Sequence, residues 1–308
     1  MQTTNNILLI RPSNFAFNHE TLATNAFQNE IIAANDDFIR NKAIEEFDLF
    51  AETLKLKGVN VFIFDDTIFP EKPDAIFPNN WITFHSDGTV ILYPMFAPNR
   101  RQEKRKDIID SFRKNFRVTT IIDLSDYEKE NKFLEGTGSI VFDHDNKIAY
   151  ACLSSRTDKE LFIKVSALLH YQPVYFHASD RNDNEIYHTN VMMCIDEKFA
   201  VVCIDCITNP AEKEMVVKSL TTTGHQLIEI TFDQMNNFAG NMLALSTKEN
   251  KNILALSQSS FDSLTENQKN VLLLYSELVP LSIKTIETIG GGSARCMIAE
   301  VFLKPKGH

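Results

Sequence analysis

The sequence predicts an α/β fold in which a module of strand, turn, strand, helix and strand recurs five times and closes into a ring. Three observations carry this. Tight-turn signals between short β-type runs recur, with first strands beginning near residues 81, 140, 191, 242 and 297. Each hairpin is followed by a helical pattern and another strand, and a period of about 50 residues marks a modular array. The fifth module is complete only if the two ends of the chain pair, which turns the array into a ring.

The elements follow in order. Ile7-Leu8-Leu9-Ile10 is a continuous apolar run, the pattern of a buried strand, and ends at Arg11-Pro12. Residues 13–25 form a polar, Asn-rich loop too long for a simple connection and read as a lid. Over 36–57, Ile44, Phe47, Phe50, Ala51 and Leu54 recur at helical spacing, and Gly58 stops the helix. Residues 59–64 return to a strand.

The first full module has strands 81–84 and 90–93 around Ser86-Asp87-Gly88, a helix over 100–116 and a strand over 118–122. The second has strands 139–142 and 148–153, a helix over 158–170 and a strand over 173–176. The third runs 191–195, 200–204, a helix over 210–221, then 226–230. The fourth runs 242–245, 253–256, a helix over 261–278, then 282–285. In the fifth, 297–303 pairs beside 7–10.

With 308 residues, 44% hydrophobic and 23% charged, the chain has the composition of a globular protein. The ring reads as one catalytic domain over 1–308. A net charge of −10 argues against nucleic acid or an anionic membrane surface as partner, but not against a small substrate held by local arginines. Five cysteines, with a lone Cys203–Cys206 pair at CxxC spacing, point to neither a disulfide framework nor a zinc site. The start is polar and no run approaches the ~20 apolar residues of a membrane span, so a cytoplasmic, soluble protein is expected. Homo-oligomerisation is left open.

Ring closure brings the starts of the first strands to the central axis. Those positions hold Asn79-Asn80, Glu135 and Ser139, His188-Thr189-Asn190, Asn241, and Cys296, the last after Gly290-Gly291-Gly292. A free cysteine is usually buried and inert, but a thiol beside a base becomes a nucleophile. Cys296 therefore reads as nucleophile, His188 as proton-transfer group and Glu135 as the acid that orients the imidazole. Asp74, Asn79 and Asn80 lie just ahead of the first module. Asn190, two beyond His188, is placed on the same face of the same strand. Arg100 and Arg156 each follow a module's second strand, and their forks suit a substrate α-carboxylate.

These stretches resemble the guanidine-modifying, or pentein, superfamily of arginine deiminases, dimethylarginine dimethylaminohydrolases and amidinotransferases. The resemblance covers nearly the whole chain. It rests on Phe77-Pro78-Asn79-Asn80, Ala97-Pro98-Asn99-Arg100-Arg101, Leu134-Glu135-Gly136-Thr137-Gly138, Leu153-Ser154-Ser155-Arg156-Thr157, His188-Thr189-Asn190 and 291–296. It implies a five-bladed β/α propeller with a central site. It also implies catalytic roles for Cys296, His188 and Glu135. Asp74, Asn79, Asn80 and Asn190 become substrate readers, and Arg100 and Arg156 carboxylate clamps, with no metal or organic cofactor.

One departure selects among activities. Guanidine-processing members generally carry aspartate where this chain has Asn80, and arginine deiminases also at Asn190. Amides offer donors and acceptors, which suits a neutral ureido group with an NH2 and a carbonyl oxygen. The chain resembles the citrulline hydrolase branch, whose products would be ornithine, carbon dioxide and ammonia. Deiminase or dimethylarginine hydrolase activity is the nearest alternative, and amidinotransfer a further one. A non-enzymatic ring, as in a ribosome anti-association factor, is disfavoured by the complete Glu135, His188 and Cys296 set.

Overall fold

The computed structural model describes residues 1–28 and 36–307. Among these are five mixed sheets of three strands, none closed on itself. In each, a short strand runs antiparallel to a middle strand, which runs parallel to an outer one. Ile82–Phe84, Thr89–Leu92 and Thr120–Asp123 make the first. Val141–Asp143, Ile148–Leu153 and Gln172–His177 make the second, and Met193–Ile195, Phe199–Val202 and Gln226–Glu229 the third. Leu243–Ser246, Asn252–Ser257 and Glu277–Leu281 make the fourth. Both ends of the chain build the fifth: Asn6–Arg11 pairs antiparallel with Ala299–Glu300 and parallel with Asn60–Asp65.

Continuous apolar runs in the middle strands have a packing cause. Side chains alternate faces along a strand, and here both faces are covered. Ile7 and Leu9 pack with Leu243, Ala255 and Val279 of the fourth sheet. Leu8 and Ile10 pack with Ile82, Phe84 and Phe112 on the other side. Val90 and Ile91 divide in the same way between two cores, as do Tyr150 and Ala151, and Leu254 and Ala255. Truncating Leu9, Ile91 or Leu254 to alanine costs about 2–5 kcal/mol in a core that cannot collapse.

Several expected elements differ. The helix expected over 100–116 is two pieces, a 3-10 turn Pro98–Glu103 and a helix Lys106–Asn115, because Arg105 is extended. The tighter turn leaves Arg100 and Glu103 both facing inward. The fourth helix also breaks: Ser257 caps Gln258–Ser263, and Thr265 caps Glu266–Leu273 through a capping box with Gln268. Its last strand is Glu277–Leu281, ahead of the expected 282–285, and a helix Lys284–Gly290 follows. The expected boundary differs because residues 271–281 fit both periods, and periodicity alone does not separate a buried helix end from a strand.

The expected strand 297–303 contracts to Ala299–Glu300. Cys296 therefore lies on a turn before the strand, its N–H donating to Ser293 O at 3.0 Å. The same device recurs: helical turns Pro78–Asn80, Gly136–Ser139 and Thr189–Met192 precede three inner strands. His188 and Asn190 thus do not share a strand. His188 is the extended residue before the turn, and Asn190 is inside it. Each turn exposes backbone and side-chain polar groups where a regular strand would consume them. No helix among the described residues is long and apolar enough to cross a membrane.

Candidate active site

The helix Lys284–Gly290 aims the cysteine turn. Glu46, from the long helix Asp36–Leu56, accepts from Thr285 N–H at 2.9 Å and Ile286 N–H at 3.0 Å, satisfying donors at that helix start. Gly291 ends the helix at φ +63, a left-handed conformation that glycine adopts without strain. Its carbonyl accepts from Tyr187 Oη at 2.9 Å, and Ser293 Oγ donates to Glu287 at 2.8 Å. Cys296 is left 4% exposed at the end of this braced turn.

Its sulfur accepts two amide hydrogen bonds, from Asn241 Nδ2 at 3.2 Å and Asn190 Nδ2 at 3.4 Å. Asn241 was legible as a module start, but nothing in its sequence context assigned it chemistry.

His188 lines one cavity with Cys296, and its Nε2 meets Oε2 of Glu135, which lies outside the cavity lining, at 2.8 Å; both residues are buried. Burial opposes ionisation of Glu135, but Arg156, at 3.6 Å, and the bond to His188 hold its carboxyl well below the usual range. Burial pushes His188 down to about 4 while Glu135 pulls the other way, so the imidazole is neutral at pH 7. A neutral imidazole beside a carboxylate carries its proton on Nε2, which leaves Nδ1 as the basic atom. Gly138 borders that edge: a Cβ there would come within 2.7 Å of Nδ1 and 2.4 Å of Asn80 Nδ2. Any side chain at 138 would displace base and amide together.

Several buried polar atoms have no protein partner: Asp74 Oδ1, Asn80 Nδ2, Asn190 Oδ1 and both amide atoms of Asn79. Such atoms are expensive to bury, and where they gather a ligand is expected to satisfy them. Asp74 and Asn80 line the cavity with His188 and Cys296. Asn79 is not among its lining residues; its carbonyl instead accepts from Thr137 Oγ1 at 3.3 Å. Burial raises the Asp74 carboxyl above its ordinary range, with Arg100 and Asn18 pulling it back.

The two arginines are buried and already engaged. Arg100 forks onto Glu103 at 2.8 and 2.9 Å and donates to Asn80 Oδ1 at 2.8 Å. Its fork holds a carboxylate of the protein, a difference from the expected substrate clamp that follows from the 3-10 turn. Burial opposes the Arg100 charge, but Glu103 and Asp74 hold the guanidinium above its ordinary value. Arg156 donates from Nε to Thr24 Oγ1 at 3.0 Å and from Nη2 to Thr21 O at 3.2 Å, with its Cζ 4.8 Å from the Tyr187 ring centre.

Those threonines belong to the loop expected as a lid, and it does cover the site. Asn18 donates to Asp74 Oδ2 at 2.7 Å, Asn25 to Gly290 O at 3.4 Å, and Gln28 to Ile289 O at 3.3 Å. The cavity beneath holds about 20 Å³, roughly one water molecule. Arg156→Lys keeps the charge but loses the fork. It is expected to speed amide exchange across residues 13–25 and to lower kcat about tenfold, roughly the 1.4 kcal/mol of one net hydrogen bond. Unchanged exchange in that loop would remove Arg156 as its anchor.

The fold has solved relatives. The N-terminal domain of ArgZ, an arginine dihydrolase from the ornithine-ammonia cycle in cyanobacteria, solved bound to substrate, superposes with a TM-score of 0.74 at 16% identity, covering 96% of this chain and 97% of that one. AgrE in complex with L-arginine gives 0.75 at 15% identity over 96% of this chain and 40% of that one. A Pseudomonas aeruginosa DDAH mutant complexed with citrulline gives 0.66 at 15% identity, over 97% and 100% of the two chains. No curated protein matches in sequence. The family model described as N,N dimethylarginine dimethylhydrolase, eukaryotic, matches residues 11–303. The chain therefore belongs to that family, within the guanidine-modifying, or pentein, superfamily.

Proposed function

We propose that the protein is a cysteine-dependent hydrolase of the citrulline ureido group, built as one five-bladed propeller over residues 1–308. Support for the propeller is the set of cores between the first and second, second and third, third and fourth, fourth and fifth, and fifth and first sheets. Support for a hydrolase is the family itself, together with a thiol, a neutral histidine and a carboxylate at one cavity.

The substrate rests on one observation. Asn80 Oδ1 is consumed by Arg100, so its amide orientation is set and Nδ2 remains as a buried donor beside His188. A guanidinium has no acceptor for that donor, whereas a ureido group has its carbonyl oxygen. Asp74 Oδ1, which lines the cavity, is an acceptor suited to its N–H groups, and Asn190, outside the lining, reaches the site through its bond to Cys296 Sγ.

In this reading Cys296 Sγ attacks the ureido carbon and Asn80 Nδ2 donates to the oxygen as negative charge develops there. His188 Nδ1 passes the thiol proton to the departing nitrogen. Water, deprotonated by the same nitrogen, then cleaves the thiocarbamate, and the released carbamate loses carbon dioxide. The balance is citrulline plus water giving ornithine, carbon dioxide and ammonia.

A guanidino substrate is the second reading. It is favoured by the Asp74 carboxylate, which could pair with a cation, and by structural relatives named for arginine or dimethylarginine. Incubation with citrulline, arginine and methylated arginines, with ornithine and ammonia as readouts, separates the two. Ornithine formation from citrulline is expected; turnover of a guanidine compound without turnover of citrulline would replace the first reading by the second.

Asn80→Asp sharpens the test because it keeps the oxygen that Arg100 needs while exchanging the donor for an acceptor and adding a negative charge. Citrulline kcat/KM is expected to fall about 100-fold, the scale of one lost oxyanion donor. Arginine should inhibit more tightly than it does in the wild type. An unchanged ratio of the two would sink the role given to Asn80.

A further inference from the structure

We infer that Asn241 is a catalytic residue, and that with Asn190 it forms an amide cradle that takes up the negative charge on the Cys296 sulfur as the thiol proton passes to His188. The inference rests on Cys296 as nucleophile and on the neutral-substrate reading.

Asn241 has one orientation available. Its Oδ1 accepts from the backbone N–H of Arg295 at 3.1 Å and of Cys296 at 3.4 Å, so Nδ2 must face the other way. There Nδ2 donates to Asn190 O at 2.9 Å and to Cys296 Sγ at 3.2 Å. One side chain therefore holds the nucleophile's backbone by its oxygen and the nucleophile's sulfur by its nitrogen. Asn190 adds the second donor to sulfur at 3.4 Å.

A thiolate needs such donors because, among the described residues at the cavity, each cation is already engaged. His188 is neutral and its Nε2 is committed to Glu135. The guanidinium of Arg100 is forked onto Glu103, and Arg156 is held between Glu135 and the lid. A cationic substrate would bring a positive charge to the sulfur, whereas a ureido group brings none. Hydrogen bonds to the charged form favour it, and dipoles fixed by folding need no reorganisation when the reaction begins.

The test uses no substrate, so it stands apart from the choice between citrulline and arginine. Iodoacetamide alkylation of the intact protein is followed across pH, with the adduct located by mass spectrometry. Asn241→Asp keeps the oxygen facing the two backbone N–H groups and replaces the donor to sulfur by an acceptor. Its alkylation profile is expected to move to higher pH by about one unit or more, with at least a tenfold slower reaction at pH 7. Asn190→Ala leaves the backbone anchors of Cys296 in place and should move the profile the same way by less. It decides the matter alone if Asn241→Asp does not fold. Lost activity with an unshifted profile would make Asn241 a structural brace and overturn the inference. If wild-type Cys296 is not alkylated, the nucleophile reading falls instead and takes the cradle with it.

Discussion

Cys296→Ala is expected to lower turnover at least about 10⁴-fold, the scale seen when a covalent nucleophile is removed, with the fold intact. Two features make the loss chemical. The thiol sits 4% exposed at a cavity shared with His188, and its sulfur is the acceptor for the amide donors of Asn190 and Asn241. The backbone of the turn is held independently, through Ser293 O and Asn241 Oδ1. Deleting one buried sulfur should therefore cost only about 1–3 kcal/mol of stability, from lost packing and unpaired donors. Steady-state ornithine release and thermal unfolding measured on the same preparation check both halves. In the wild type, rapid quench with substrate should trap a covalent adduct on Cys296 and on none of Cys152, Cys194, Cys203 or Cys206, all of which are buried. An alanine variant keeping more than a few per cent of activity would show that another group performs the attack.

Glu135→Gln should have the next largest effect, a fall in kcat of about 10³–10⁴-fold, as when a triad acid loses its charge. The side chain is completely buried, with Oε1 accepting from Phe96 N–H at 2.9 Å and Oε2 from His188. Glutamine matches its shape but can turn an NH2 toward His188, which favours the wrong tautomer and puts the proton on Nδ1. It also leaves Arg156 without a carboxylate. The pH profile separates this from simple misfolding. In the wild type, burial outweighs the pull of Glu135 and sets His188 at about 4, so kcat/KM should hold through pH 6.5 and fall as pH drops through about 4. Glu135 raises the His188 value, so its removal can move that limb only downward. A variant whose acid limb rises toward 6.5 would mean that the histidine has become solvated, and the dyad assignment would fail.

How much of this was legible follows from where each property is encoded. The modules could be read because turns and strand periodicity are local, and a hairpin such as 82–92 needs only its own residues. Once five modules were counted, position within a module became position in space. That is why the sequence alone predicted that Cys296, His188 and Glu135, far apart in the chain, would lie near one another, as His188 and Cys296 do at one cavity with Glu135 bonded to His188. The end-to-end pairing of Asn6–Arg11 with Ala299–Glu300 followed from the same count.

The boundary errors also have a local cause: apolar runs such as 271–281 fit two periods. The identities of partners were not local at all. Arg100 and Glu103 are three apart in sequence, yet only the 3-10 turn decides that this fork closes on the protein's own carboxylate. Asn80 offered an amide, but which of its two atoms remains for a substrate depends on Arg100 arriving from 20 residues away. Asn241 carried no chemical signature, because a neutral amide becomes catalytic only through what it touches. Residue types and their order along the chain thus determined the repeated three-stranded module and the pairing of the two chain ends. Tertiary packing alone decided which hydrogen bonds were already spent, because folding brings distant donors and acceptors into competition and leaves Asp74 Oδ1 and Asn80 Nδ2 unpaired at the cavity.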